Sequence, residues 1–151
     1  MLPAIESQTV EAARPADEAA VRALLRQAGL PHEDFAAHLA NFLVARQGGA
    51  IVGVVGFERH GPDALLRSLV VAPAARGAGL GDRLVRELTE AARRQGVARF
   101  HLLTTPAEGF FARRGFEKVA RNSVPAEIAA TPEFQSLCPA TAVCLTREVG
   151  A

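Results

Sequence analysis

The stretch of this 151-residue sequence best suited to holding a ligand is Arg76-Gly77-Ala78-Gly79-Leu80-Gly81. Closely spaced glycines let a backbone turn through positive φ and come close to whatever it binds. The stretch lies between an apolar, strand-like run and a strongly amphipathic segment. It therefore sits where a helix N-terminus presents unpaired N–H groups and a partial positive charge. That combination suits a pyrophosphate. Arg76 adds a charge-assisted contact, and Arg83, one turn further on, can add another. The spacing is G-x-G-x-G. A G-x-G-x-x-G dinucleotide fingerprint would need glycine where this chain has Asp82, and the Lys and Ser/Thr of a P-loop are absent. The competing interpretation is a glycine-rich surface loop with an exposed arginine. The coincidence of strand, glycine turn and helix favours the anion site.

The elements around the turn follow from periodicity and punctuation. Thr9 to Ala13 reads as a short strand, broken by Arg14 and Pro15. Asp17 then offers an N-cap or first-turn acid, and Val21, Leu24, Leu25 and Ala28 recur at helical spacing until Gly29 and Pro31. A second short helix is expected from Glu33 to Leu39. Asn41 to Arg46 and Ile51 to Phe57 read as two strands joined through Gly48 and Gly49, a hairpin signal. Gly53 and Gly56 mark close backbone approach or a bulge in the second strand. Leu65 to Val71 is a third apolar run, closed by Pro73.

Leu80 to Gln95 gives the clearest helix, with Leu80, Leu84, Val85, Leu88, Ala91 and Ala92 on one face. Arg83 with Glu87, Arg86 with Glu90, and Glu90 with Arg94 stand four apart on the wet side. Ala98 to Leu103 is the next strand and Pro106 to Arg114 a short helix stopped by Gly115. Phe116 to Ala120 and Thr141 to Thr146 complete the strands, with a helical turn or two over Pro125 to Ala130. The pattern predicts one α/β domain over residues 1–151, its first eight residues a loose end.

Composition narrows the function classes. Apolar residues make up 49% and charged residues 22%, as in a globular domain with a proper core. The net charge of +1 gives no footprint for nucleic acid or a membrane surface. No basic-then-apolar leader opens the chain and no apolar run is long enough to span a bilayer, so the expected location is the cytoplasm. Cys138 and Cys144 are the two cysteines, too few for a disulfide framework or a structural zinc site, so no metal is expected. The expected assembly is a monomer or homodimer.

Leu69-Val70-Val71-Ala72-Pro73-Ala74-Ala75-Arg76-Gly77-Ala78-Gly79-Leu80-Gly81 resembles motif A of the GNAT N-acetyltransferases, whose core is Arg/Gln-x-x-Gly-x-Gly/Ala. Gly109-Phe110-Phe111-Ala112-Arg113-Arg114-Gly115-Phe116 resembles motif B, a short helix plus a Gly-Phe turn. The resemblance covers about residues 9 to 148. A narrower one links Leu65-Leu66-Arg67-Ser68-Leu69, Leu102-Leu103-Thr104-Thr105 and Phe134 to Ala142 to a GNAT subfamily encoded in arsenic-resistance operons. These resemblances imply the GNAT fold: a mixed, mostly antiparallel central sheet, splayed at an acetyl-CoA cleft and flanked by helices. They imply acetyl-CoA as cosubstrate and acetyl transfer to a primary amine, in a small acidic or amino-acid-like acceptor linked to arsenic resistance.

Carried onto this sequence, motif A implies that Leu69, Val70, Val71, Arg76, Gly77, Ala78, Gly79, Leu80, Gly81 and Arg83 hold the coenzyme, with Phe111 beside the acetyl group. The N–H of Val70 would polarise the acetyl carbonyl. Two departures stand out. The family's tyrosine acid falls at Phe111, and the chain has no tyrosine. The departing thiolate then takes a proton from water, from Thr104 or Thr105, or from a thiol, or leaves unassisted. The strand Leu65 to Val71 also lacks the glutamate many relatives carry. Glu58 is the substitute base, against the plainer possibility of an exposed strand-end carboxylate. His60 and His101 fit that role less well. Arg67 and Ser68 would line the acceptor pocket, with Arg67 holding an acidic group. Cys138 and Cys144 could bind trivalent arsenic as thiolates, against a loop thiol and a buried strand residue. Phe110, Phe111 and Phe116 are expected as core or acyl-pocket walls. The alternatives are a protein N-terminal or lysine acetyltransferase and a non-catalytic acetyl-CoA sensor.

Overall fold

The structure is a computed structural model that describes residues 8–105, 107–137 and 141–150. The strands are β1 (Gln8–Ala12), β2 (Phe42–Gln47), β3 (Ala50–His60), β4 (Asp63–Val71), β5 (Arg99–Thr104), β6 (Glu117–Val119) and β7 (Val143–Glu148). The helices are α1 (Glu18–Gln27), α2 (Leu80–Arg94), α3 (Glu108–Ala112) and α4 (Ala126–Ala129). The strands form one mixed seven-stranded sheet in the order β1-β2-β3-β4-β5-β7-β6. β1/β2, β2/β3, β5/β7 and β6/β7 pair antiparallel. β4 pairs parallel with β5 from Asp63↔Arg99 to Leu65↔His101. This is the α/β class and GNAT fold that the sequence implied.

The chain divides into two compact units, residues 1–56 with 68–88 and residues 57–67 with 89–151. The first unit is built on Val21, Leu25, Phe35, Leu39, Phe42, Val44, Val54 and Val70. Gly48 and Gly49 make the β2–β3 turn with positive φ, as the hairpin signal required. Gly56 admits the ring of Phe42, which would lie 2.2 Å from a Cβ there. Gly53 lets Leu80 and Leu84 of α2 come down onto β3, the nearer methyl 3.0 Å from a Cβ position. The close approach expected at both glycines is thus present.

Three local expectations need correction in this unit. The second short helix is a 3₁₀ segment, Ala36–Asn41, and starts later than Glu33, with fully buried Phe35 at its N-cap. Asp17 stands at the N-cap position of α1, as expected, but its side chain makes no capping bond. Its carboxylate instead accepts from the Arg14 N–H at 2.8 Å and from Arg46 Nη2 at 2.6 Å. Arg86 pairs back to Asp82 at 2.9 Å, not forward to Glu90, while Arg83–Glu87 forms as expected at 2.8 Å.

The second unit packs Leu65, Val124, Ile128, Phe134 and Cys144 together. Phe57 and Phe100 add a tilted ring pair at 6.0 Å. Here Glu90 pairs with Arg93, three residues on, where Arg94 was expected. The helix end is closed by Gly96 N–H to Arg93 O and Val97 N–H to Ala92 O, both 3.0 Å, the two-bond ending that a glycine with φ +87° permits. Phe116 to Ala120 contracts to the three-residue β6. The last strand is shifted onto Val143–Glu148, between β5 and β6. A π-helical segment, Glu133–Leu137, was not foreseen. Among the described residues no helix is long and apolar enough to cross a membrane, and no group of three His, Cys, Asp or Glu side chains could hold a metal ion.

Candidate functional site

In the first unit the chain leaves β4 at Val71, makes one 3₁₀ turn over Pro73–Ala75, and enters the glycine stretch. Gly77 and Gly79 have φ of +90° and +77°. A Cβ at either would meet nothing within 4 Å, so the requirement for glycine there is conformational, not steric. The Arg83 N–H donates to Gly79 O at 3.1 Å, the first bond of α2, which puts the N–H groups of Leu80 and Gly81 ahead of the helical ladder. Arg76 is exposed and donates from Nε to Val71 O at 3.0 Å, tying the turn back to the end of the strand.

The other coenzyme candidates separate by what they can offer. Leu80 is buried beneath the helix, so only its backbone faces the turn. Ala78 is exposed. Gly81 lies inside the helix without a positive φ, so its conformation does not demand glycine. Arg83 is already engaged, donating to Gln8 O at 2.7 Å and to Glu87 at 2.8 Å. Val70 is buried, and Leu69 and Val71 flank it on the last part of β4.

Ser68 is the one non-glycine residue with positive φ, +65°, among the described residues, and it lies inside β4. A serine held there is strained. It breaks the regular strand between Arg67 and Leu69, next to the segment assigned to the acetyl group. The sequence marks Ser68 only as a small polar residue in an apolar run.

In the second unit Glu58 is 2% exposed, which removes the possibility of a solvated strand-end carboxylate. Its Oε2 accepts from Arg67 Nη1 at 2.6 Å, and Arg67 Nε stands 3.4 Å from Glu133 Oε1. The Arg67 side chain has no accessible surface. The expectation that Arg67 meets an acidic group of the acceptor therefore needs correction. Its guanidinium faces two carboxylates of the chain itself, because burying the guanidinium requires charged partners. Glu133 was missed. No local pattern marks it, since its burial depends on Arg67 on a different element.

His60 lies two residues beyond Glu58 on β3, its Nε2 3.7 Å from Glu58 Oε1. His101 is buried and bonded to Asp63 Oδ1 at 2.8 Å, with Thr146 Oγ1 3.4 Å from its other ring nitrogen, so it serves the sheet. Thr104 Oγ1 accepts from the Ala107 N–H at 3.1 Å, and Thr105 is exposed. Phe111 is buried and stacked edge-on with Phe110 and Phe116 at 5.1 and 5.2 Å, so it is a core wall with no acid function. Burial pushes the Cys144 thiol up, which disfavours a thiolate there. Cys138 lies outside the described residues.

The Acetyltransferase (GNAT) domain family matches residues 38–118. An amino-acid acetyltransferase of Ralstonia nicotianae is 33% identical over 89 residues, 58% of this chain and 20% of the relative. Glucosamine 6-phosphate N-acetyltransferase 1 of Oryza sativa subsp. japonica is 39% identical over 74 residues, 48% of this chain and 45% of the relative. N-acetylglutamate synthase from Neisseria gonorrhoeae, solved with coenzyme A and N-acetyl-glutamate, superposes with a TM-score of 0.81 at 22% identity. The match covers 95% of this chain and 35% of that one. The chain thus spans about a fifth of the amino-acid acetyltransferase it matches.

Proposed function

The chain belongs to the GNAT acetyltransferase domain family, and on that premise we propose that it moves the acetyl group of acetyl-CoA to the α-amine of a small amino-acid-like acceptor. The observation that carries this proposal is the glycine turn at the head of α2, with the leading N–H groups of the helix and exposed Arg76 beside it. Those groups fit a pyrophosphate. Acetyl-CoA supplies an activated thioester, and the chain's part is to position it and to manage one proton. Backbone groups of Leu69 to Val71 hold the pantetheine arm, with the Val70 N–H on the developing oxyanion. The strained backbone at Ser68 supports that role, because it interrupts the regular strand just before them.

Glu58 takes the amine proton. Its burial leaves a water between carboxylate and amine as the route, and Arg67 fixes its orientation. An amino-acid-like acceptor is supported by the family's amino-acid acetyltransferases. The likeness to arsenic-operon relatives adds arsenic-bearing amino acids to the acceptors worth assaying.

The test is release of free CoA thiol by the purified chain with a panel of α-amino acids, amino sugars, organoarsenical amino acids and peptides. Thiol release with small α-amines and a much slower Glu58→Gln variant are expected. Release with peptide N-termini or lysines alone would give the protein-acetylating alternative its place. Coenzyme binding with no release from any amine would leave a sensor.

A further inference from the structure

We infer that His60 receives the proton from Glu58 and passes it to solvent, so that the two residues form a relay. This rests on the proposal that Glu58 is the base. Among the described residues, His60 Nε2 is the buried side-chain polar atom that has no hydrogen-bond partner. Keeping such an atom unpaired is costly, and native structures seldom do so without a reason. This one lies 3.7 Å from Glu58 Oε1. The two residues are i and i+2 on β3, so they share a face of the strand. The other carboxylate oxygen, Oε2, is held by Arg67, and Oε1 is the atom on the His60 side. Exposure supplies the direction of transfer. Glu58 is 2% exposed and the His60 side chain 27%, so the ring joins a buried carboxylate to water.

Charged side chains hold the carboxylate in place. Arg67 on β4 faces Glu58, and Glu133 from the π-helical segment faces Arg67. During turnover the amine nitrogen bonds to the acetyl carbon and gives one proton through water to Glu58 Oε1. The C–S bond breaks and the sulfur leaves with its electron pair. Glu58 passes the proton to His60 Nε2, and the ring releases one from Nδ1 to solvent. A gap of 3.7 Å closes with a small side-chain rotation, and such contacts are commonly long before substrate binds.

The test uses the full chain, saturating acetyl-CoA and the amine that gives the fastest thiol release with wild type. His60→Ala should lower kcat about tenfold or more, the low end for loss of a proton-transfer group. The acceptor KM should stay within about twofold. Adding imidazole should restore kcat to His60→Ala in proportion to its concentration and leave wild type unchanged. If His60→Ala melts early, His60→Gln, similar in size and polar, carries the same measurement. A kcat that stays near wild type, or a loss that imidazole does not repair, overturns the relay. Glu58→Gln separates the two ideas. If it is slow while the His60 variants are normal, the base stands and the relay falls. If Glu58→Gln turns over normally, or no amine releases thiol, the base proposal and the relay fall together.

Discussion

Arg67 Nη1 donates to Glu58 Oε2 at 2.6 Å, and neither side chain is more than 2% exposed. With Glu133 Oε1 3.4 Å from Arg67 Nε, the guanidinium is the positive centre of a buried cluster. Removing one partner of a buried ion pair typically costs about 3–5 kcal/mol, because the other charge is left uncompensated. Arg67→Ala should therefore act first on stability. Its urea midpoint should fall by that equivalent at an unchanged slope. An unchanged midpoint, together with a raised KM for acidic acceptors, would restore Arg67 to the acceptor pocket.

The glycine turn makes a graded prediction. Gly79→Ala disfavours φ near +77° by about 1–2 kcal/mol, so the free turn relaxes to another angle and binding must restore this one. Gly81→Ala has no such demand. Arg76→Ala removes a charged contact worth about 1.5–3 kcal/mol, roughly tenfold or more in affinity. Calorimetric titration with acetyl-CoA should rank Arg76→Ala and Gly79→Ala well below wild type and Gly81→Ala close to it. Equal weakening at Gly79 and Gly81 would mean that close approach, not backbone conformation, sets the requirement.

The Asp17–Arg46 contact gives a pH-dependent stability. The hydrogen bond from Arg46, helped by the Arg14 N–H, holds the Asp17 carboxyl below its ordinary value of 3.8 against the opposing effect of burial. Protonation is therefore harder in the folded than in the unfolded chain. The stabilisation is complete above the unfolded value and is lost as pH falls through the lower, folded one. Asp17→Asn should be less stable than wild type at pH 7, and the gap should shrink below about pH 3.8. Thermal melts across pH 2.5 to 7, about the range for acid titration, check this. A gap independent of pH would show that the carboxylate is not paired in the folded state.

Cys144 is 2% exposed, and its thiol is pushed up by burial more than nearby Arg121 draws it down. The folded protein at neutral pH should leave Cys144 unmodified by iodoacetamide, and denaturant should release it to full reaction. Peptide mass mapping reads this residue separately from Cys138. Rapid labelling of Cys144 in the native state would contradict its placement in the core and reopen it as an arsenic ligand.

What the sequence determined by itself is local. The apolar face of α2, the Gly48–Gly49 hairpin and the glycine turn before α2 all follow from periodicity and from backbone angles that few residues adopt. These features placed the turn and the head of α2 within a residue or two. Glu58 was legible as a candidate, but its burial was not. The tertiary structure decided the rest: that Arg67 contacts both Glu58 and Glu133, that His60 Nε2 has no hydrogen-bond partner among the described residues, that Ser68 is strained, and that β7 lies between β5 and β6. Each depends on strand register or on which distant element covers a charge. Neither is encoded within the few residues that set a turn or a helix, because the energy of a buried charge depends on neighbours brought there by the whole chain.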